Sequence, residues 1–436
     1  MELILENVRC FSGRHIIPIK PLTVLVGENS SGKSTFLAAL SVVCDSSGYP
    51  IHPRFNEAPY NLGNFETIAT HKARRSGHVA DFSLGYTQVS VEDNSITELL
   101  ATYKNDRGQV ELWKLKGRGA IGEVFLLLDE SGKKYNVRLK LPSEEDQVAH
   151  FSIDIKFDDA AIIEVPRFMK NLGTYGLKDP KERSLQDVIS NDTMPLMVFL
   201  MLATFAPKAK ALSIAPIRTK PKRTYDQFTE TFNPEGDHIP FVLARILGEA
   251  PASKQEESLI SALTRFGAES GLFKNVAVRR LGDKPGDPFQ LMVTVAGKPA
   301  NLLDVGYGVS QALPVVVQSI LAAKERLLLL QQPEVHLHPK AQAALGSFFV
   351  DMVVDGEKHL VVETHSDYIV DRVRQEVAAG KIPPDSVQLL FFEKQGMETT
   401  IHPITIDELG NVENAPPSYR EFFLKEEMNI LMRGRR

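Results

Sequence analysis

Cysteine and tryptophan are nearly missing from this chain: 436 residues hold two cysteines, Cys10 and Cys44, and one tryptophan, Trp113. Two thiols without paired spacing exclude a disulfide framework and a cysteine-based zinc site, and they fit a reducing cytoplasm. Trp113 lies in an alternating segment and reads as a core or sheet-face residue rather than a base-stacking platform. Positive charge is not in excess either. Lys and Arg number 50 against 55 Asp and Glu, a net charge of −5, so any nucleic-acid contact would have to rest on a local patch. The longest apolar run, Leu196 to Ala206, is too short to span a bilayer and reads as a buried helix. The start, MELILENVRC, has no basic segment followed by an apolar one, so no membrane partner is expected. Heptads long enough for an extended coiled coil are lacking as well. What remains, 43% hydrophobic and 24% charged residues, is an ordinary globular composition. The length calls for two or three lobes, or one large α/β unit with an insertion.

The strongest positive signal is TVLVGENSSGKSTFLAAL at 23–40. A β-branched and aliphatic strand runs into a Gly-rich loop, and the loop into a helical pattern with apolar Phe36, Leu37, Leu40 and Val43. The loop, Gly27, Glu28, Asn29, Ser30, Ser31, Gly32, Lys33 and Ser34, has P-loop spacing. Its glycines let backbone N–H groups turn inward, and the helix beyond adds its positive end, so the site suits phosphate. Lys33 is expected to reach the β- and γ-phosphates of ATP, Ser34 to ligate Mg²⁺, and Thr35 to hold the α-phosphate side.

The rest reads as alternating blocks. Residues 2–26 predict two strands flanking a Ser12-Gly13 turn, and 44–75 predict a loop with one short helix. From Gly77 to Glu164, alternating segments separated by turns such as Asn105-Asp106-Arg107-Gly108 predict an antiparallel sheet. Residues 165–288 turn helical and irregular, with Pro195 and Pro207 bounding an apolar helix. They include a strand at 211–217, helical patterns at Ile239 to Leu247 and Glu257 to Phe266, and a basic run of Arg218, Lys220, Lys222 and Arg223. That run suits the phosphates of ATP or of nucleic acid, or a solvated loop.

A second set of polar clusters follows. Gly306, Tyr307, Gly308, Val309, Ser310 and Gln311 open a helix, a second anion-binding end or a simple helix cap. An apolar strand, Leu327 to Leu330, ends in Gln331, Gln332 and Glu334. Another, His359 to Val362, ends in Glu363, Thr364, His365 and Ser366. Polar residues at the C-terminal ends of parallel strands are where doubly wound sheets hold ligands, so these segments should converge with the P-loop. His336 and His338 lack a cysteine or aspartate to complete a zinc set, and Leu-His-Pro suits a helix start.

GENSSGKST, GYGVSQALP, QQPEVHLHP and ETHSDYIVDRVR, in this order and spacing, resemble the ABC-class AAA ATPases of the OLD/SMC-like group, bacterial proteins often encoded beside anti-phage effectors. The resemblance covers about 1–75 and 290–425. It implies an α/β P-loop NTPase fold of ABC type: a mixed central sheet flanked by helices, an antiparallel β layer and an inserted helical lobe. The expected divisions are 1–76 and 289–436 for the two parts of the ATPase core, 77–164 for the β subdomain, and 165–288 for the insertion and dimerisation lobe. The resemblance further implies ATP and Mg²⁺ as cofactors and an ATP-sandwich homodimer or higher oligomer. Gly306, Gly308, Ser310 and Gln311 belong to its signature loop, and His365 is its switch residue. Ser34 and Gln331 are candidate metal ligands; Gln331, Gln332, Glu334 and His365 are the candidate catalytic residues.

One departure stands out. Where the family carries two acids at the end of the Walker B strand, this sequence has Gln331-Gln332. An amide cannot take a proton, so either Glu334 or Glu363 does that work, or turnover is slow. The leading expectation is a cytoplasmic ATPase that controls a separately encoded nuclease or toxin. The alternatives are an SMC-like DNA-binding or repair ATPase and a poorly hydrolysing scaffold.

Overall fold

The computed structural model describes residues 1–71, 77–90, 94–120, 122–129, 134–140, 148–153, 204–207, 210–226, 231–247, 254–284, 286–324, 326–419 and 421. Pro195, the apolar run up to residue 203 and Arg433 to Arg436 lie outside them. The chain divides into two compact units built from interleaved stretches: 1–16, 42–54 and 63–208 in one, 17–41, 55–62 and 209–436 in the other. Neither unit is a contiguous block of sequence.

The first unit is an antiparallel sheet. Its strands are β1 (Glu2–Val8), β2 (Phe11–Pro18), β4 (Asp81–Val89), β5 (Ile96–Asp106), β6 (Gln109–Gly119), β7 (Gly122–Leu128), β8 (Tyr135–Lys140) and β9 (Val148–Ile153). They run in the order β2-β1-β4-β5-β6-β7-β8-β9. Alternation in β8 buries Tyr135, Val137 and Leu139 and leaves Asn136 and Arg138 outside, the period of two that a half-buried strand requires. The turn expected at Ser12-Gly13 falls instead at Arg9-Cys10, and Ser12 and Gly13 lie within β2. The cause is tertiary. Arg9 donates its backbone N–H to Ile68 O and its Nε to Thr67 O, which ties the bend to the short helix α2 (Phe65–Ile68).

The second unit carries a mixed sheet of seven strands. In the order β10-β14-β15-β3-β16-β17-β18, these are β10 (Lys210–Ile214), β14 (Arg326–Gln331), β15 (His359–Glu363), β3 (Leu22–Gly27), β16 (Val387–Gln395), β17 (Glu398–Ile406) and β18 (Val412–Glu413). The first five run parallel; β17 pairs antiparallel with β16, and β18 antiparallel with β17. Leu327 to Leu330, Leu360 to Val362 and Leu22 to Leu25 are all buried, as strands covered on both faces must be. The helices are α1 (Lys33–Val43), α3 (Ile239–Leu247), α4 (Lys254–Ser270), α5 (Tyr307–Leu321), α6 (Pro339–Val354) and α7 (Asp367–Ala378). A small sheet, β11 (Asn275–Arg280), β12 (Phe289–Thr294) and β13 (Ala300–Asn301), completes the unit. The described helices of the middle region, α3 and α4, share one apolar core with α5, α6, α7 and the parallel strands.

Among the described residues no helix is long and apolar enough to cross a membrane. The longest described helix, α4, has 17 residues. Buried Lys358 fastens α5 to the start of β15. Its Nζ donates to Ser319 O at 2.6 Å and Ile320 O at 2.5 Å, a cation on the carbonyl end of the helix. Burial pushes its pKa down to about 8.

Phe36 on α1 meets Phe392 on β16 edge to face, with ring centroids 5.6 Å apart, and both are fully buried. Phe36→Ala is expected to cost about 3–5 kcal/mol of stability, read as a lower denaturation midpoint in urea.

Candidate functional site

The site begins where β3 stops. Gly27 takes a φ of +140°, and a Cβ there would sit 2.5 Å from Phe392 O. No side chain fits, and the chain can turn out of the sheet only because residue 27 is glycine. Ser30 (φ 59°) and Gly32 (φ 95°) continue the turn. The loop delivers Lys33, Ser34 and Thr35 to the first turn of α1, where the helix dipole favours anions. Glu28, Asn29 and Ser30 are exposed at the loop tip, whereas Ser31 and Lys33 are buried. Lys33 Nζ donates to Gly27 O at 3.0 Å, Glu28 O at 2.7 Å and Ser31 Oγ at 3.4 Å. Burial lowers the Lys33 pKa, while Glu363 and Glu28 oppose the shift.

Parallel pairing brings two more strand ends to this place. β15 lies between β3 and β14, with Glu363 opposite Leu25 on one side and Gln331 on the other. Glu363 is 4% exposed, and both its carboxylate oxygens accept from Ser34 Oγ at 3.0 Å. Gln331 Nε2 donates to the same carboxylate at 3.4 Å. Gln332, in a left-handed turn at φ 42°, donates its N–H to Glu363 O at 2.8 Å.

Glu334 is tied down differently. Its Oε1 accepts the His365 backbone N–H at 2.7 Å, which ties the segment after β14 to the segment after β15. Burial holds its carboxyl above the usual carboxylate range. His365 itself is exposed. The structure thus brings together Lys33, Ser34, Gln331, Gln332, Glu334, Glu363 and His365.

The signature-like segment lies elsewhere in the unit. Gly306 caps α5, Ser310 Oγ donates to Tyr307 O at 2.8 Å, and Ser310 and Gln311 are buried. A Cβ on Gly308 would come within 3.2 Å of His336 O, and the Tyr307 and His336 rings lie 6.0 Å apart. His338 is the N-cap of α6 and accepts from Lys340 N.

The basic run divides once side chains are placed. Arg218 is buried, and its Nη2 donates to Gln331 O at 3.2 Å and Gln332 O at 3.1 Å, while Nε and Nη1 have no hydrogen-bond partner among the described residues. Burial pushes its pKa down to about 10, against the pull of Glu334. Arg223 pairs with Asp304 at 2.6 Å, and Lys220 and Lys222 are exposed. Nothing in a run of four cations told which one would turn inward. Tyr60, in the loop between α1 and α2, is also buried, and its phenol is held well above its ordinary pKa by burial, with Glu363 adding to the shift.

The oxygen donors Ser34 and Glu363, with the Gln331 amide beside them, form a set that suits a hard divalent cation such as Mg²⁺. Such a cation supplies charge neutralisation to phosphate oxygens.

The His365 imidazole is held below its ordinary 6.5, first by burial and then by the charge of Lys33. The unfolded chain therefore takes up this proton first as pH falls, and the stability carried by the neutral ring is complete above 6.5 and lost between 6.5 and the lower folded value. Thermal unfolding of wild type is expected to weaken more steeply below pH 6.5 than that of His365→Asn, with parallel curves above it.

Comparison with known proteins follows the same lines. Solved structures with similar features include an Smc head bound to the C-terminal winged-helix domain of ScpA (TM-score 0.46, 11% identity, covering 93% of this chain and 98% of that one). An Smc head domain with an extended coiled coil bound to the C-terminal domain of ScpA, from Pyrococcus furiosus, gives 0.40 at 11% identity, covering 100% and 99%. The SMC head domain from Thermotoga maritima gives 0.35 at 9% identity, covering 92% and 97%. No curated protein sequence matches the chain. The family described as AAA ATPase domain matches residues 1–370. With its P-loop at the end of a parallel strand of an ABC-type mixed sheet, this chain belongs to the AAA ATPase domain family.

Proposed function

We propose that this protein is an ATP-binding ABC-type ATPase whose nucleotide-dependent dimerisation controls a separately encoded effector. The observation that supports it best is the convergence of Lys33, Ser34, Gln331 and Glu363 at the ends of three adjacent parallel strands. In this reading the backbone N–H groups of Gly27 to Gly32 cradle the phosphates, with Thr35 on the α-phosphate side. Lys33 leaves its own loop carbonyls for the β- and γ-phosphates, and Ser34 serves the metal. His365 senses the γ-phosphate. Gly306, Gly308, Ser310 and Gln311 of one protomer complete the site of its partner, an arrangement favoured by the exposed Gly306 and half-buried Gly308 at the start of α5.

Turnover is slow by design. Gln332 stands where a proton acceptor would, and Glu334 is anchored through Oε1 by the His365 N–H. A long-lived ATP-bound dimer then acts as a timed signal to a nuclease or toxin in the cytoplasm, in anti-phage defence of the OLD-like kind. An SMC-like role on DNA has less support from the basic run, because Arg218 is buried beneath the strand end and Arg223 is spent on Asp304.

Lys33→Ala is expected to abolish ATP binding by calorimetry and with it the ATP-dependent shift from monomer to dimer in light scattering. Unchanged affinity would remove the reading. Gln332→Glu is expected to raise turnover by about 10²–10⁴-fold, the usual worth of a positioned general base. An unchanged rate would place the limit on hydrolysis elsewhere.

A further inference from the structure

We propose that Glu363 is the carboxylate that holds the nucleotide's divalent cation, so that the acid lost from the Walker B strand at Gln331 has been replaced from the neighbouring strand. This rests on the nucleotide-binding reading above.

Three observations carry it. The first is topological. β14 does not touch β3, because β15 lies between them and pairs with both, so Glu363 ends the strand next to the P-loop strand. A side chain there is closer in register to Leu25 than anything on β14. The second is the hydrogen bond. Ser34, an exposed residue at the first turn of α1, donates its hydroxyl equally to both oxygens of a carboxylate that is itself 4% exposed. A hard cation that takes the Ser34 hydroxyl as a ligand finds this carboxylate as its neighbouring anion.

The third is the role left to the amide. Gln331 Nε2 points its donor at Glu363, and an aspartate at 331 would instead set two carboxylates against each other. Gln331 and Glu363 are therefore read as a matched exchange: one strand gave up the charge and its neighbour took it, with Gln331 as the positioning residue. Ser34 meets Glu363 rather than Glu334, whose Oε1 holds the His365 N–H and whose Oε2 is buried without a hydrogen-bond partner among the described residues.

A purely structural Glu363, present only to balance buried Lys33, makes a different forecast. Removing it would change nucleotide affinity to the same extent with and without metal. The test is calorimetric titration of the full chain with ATP in EDTA and in Mg²⁺, for wild type, Glu363→Gln, Glu363→Asp and the double exchange Gln331→Asp/Glu363→Gln. Wild type is expected to gain affinity on adding Mg²⁺. Glu363→Gln should keep its affinity in EDTA and lose about 10–100-fold of the Mg²⁺-dependent gain, the scale of a lost metal-site partner. The double exchange should recover that gain by returning the charge to β14. Glu363→Asp, which keeps the charge on a shorter arm, should fall between and serves as the readout if Glu363→Gln does not fold.

A full Mg²⁺-dependent gain in Glu363→Gln would overturn the proposal, as would equal losses in both buffers for Glu363→Gln or Glu363→Asp. Wild type that binds ATP in neither buffer would overturn the nucleotide reading and this proposal with it. Wild type that binds in EDTA but shows no gain with Mg²⁺ would overturn this proposal alone.

Discussion

A serine hydroxyl and a glutamate carboxylate 329 positions apart in sequence meet at 3.0 Å. That contact exists only because β3 and β15 pair in parallel with Leu25 opposite Glu363. Parallel neighbours cannot be joined by a hairpin, so the chain between them must leave and return, and here it does so over more than three hundred residues. Everything chemical about the molecule depends on that return being in register. A slip of one residue would turn Glu363 to the opposite face of the sheet and present Val362 or Thr364 to Ser34.

The register is held by burial rather than by the polar contact itself. Leu22, Val24, Leu328, Leu330, Leu360 and Val362 are fully buried in one core shared with α5, α6 and α7. Lys33 and Glu363 lie near one another largely out of water, and each has polar partners that offset the cost of that burial. Lys33 has loop carbonyls and the nearby Glu363; Glu363 has Ser34 and Gln331. The rim adds cross-braces of the same kind. Glu334 to the His365 N–H, Gln332 N–H to Glu363 O, and Arg218 to two carbonyls of the β14 end tie neighbouring strand ends together.

Some of this was legible beforehand. The P-loop could be read because phosphate binding demands glycines, a lysine and a hydroxyl at fixed spacing. The buried strands showed as unbroken aliphatic runs and the outer sheet as alternation, since side-chain period reports which faces are covered. Arg218 could not be singled out from Lys220, Lys222 and Arg223, because a local basic run does not say which member meets an apolar core. The Ser12-Gly13 turn was misplaced for a related reason: the bend at Arg9 is set by carbonyls of α2, nearly sixty residues away.

The sequence by itself determined the phosphate-binding loop, the parallel strands that frame it and the pair of glutamines, Gln331 and Gln332, at the end of β14. These are local patterns, and local backbone chemistry is enough to specify them. Only the tertiary structure decided that Glu363 faces Ser34, that Gln331 points its amide at that carboxylate, and that Glu334 is engaged by the His365 N–H. Those facts depend on strand order and register, which arise from packing between segments that no spacing along the chain records.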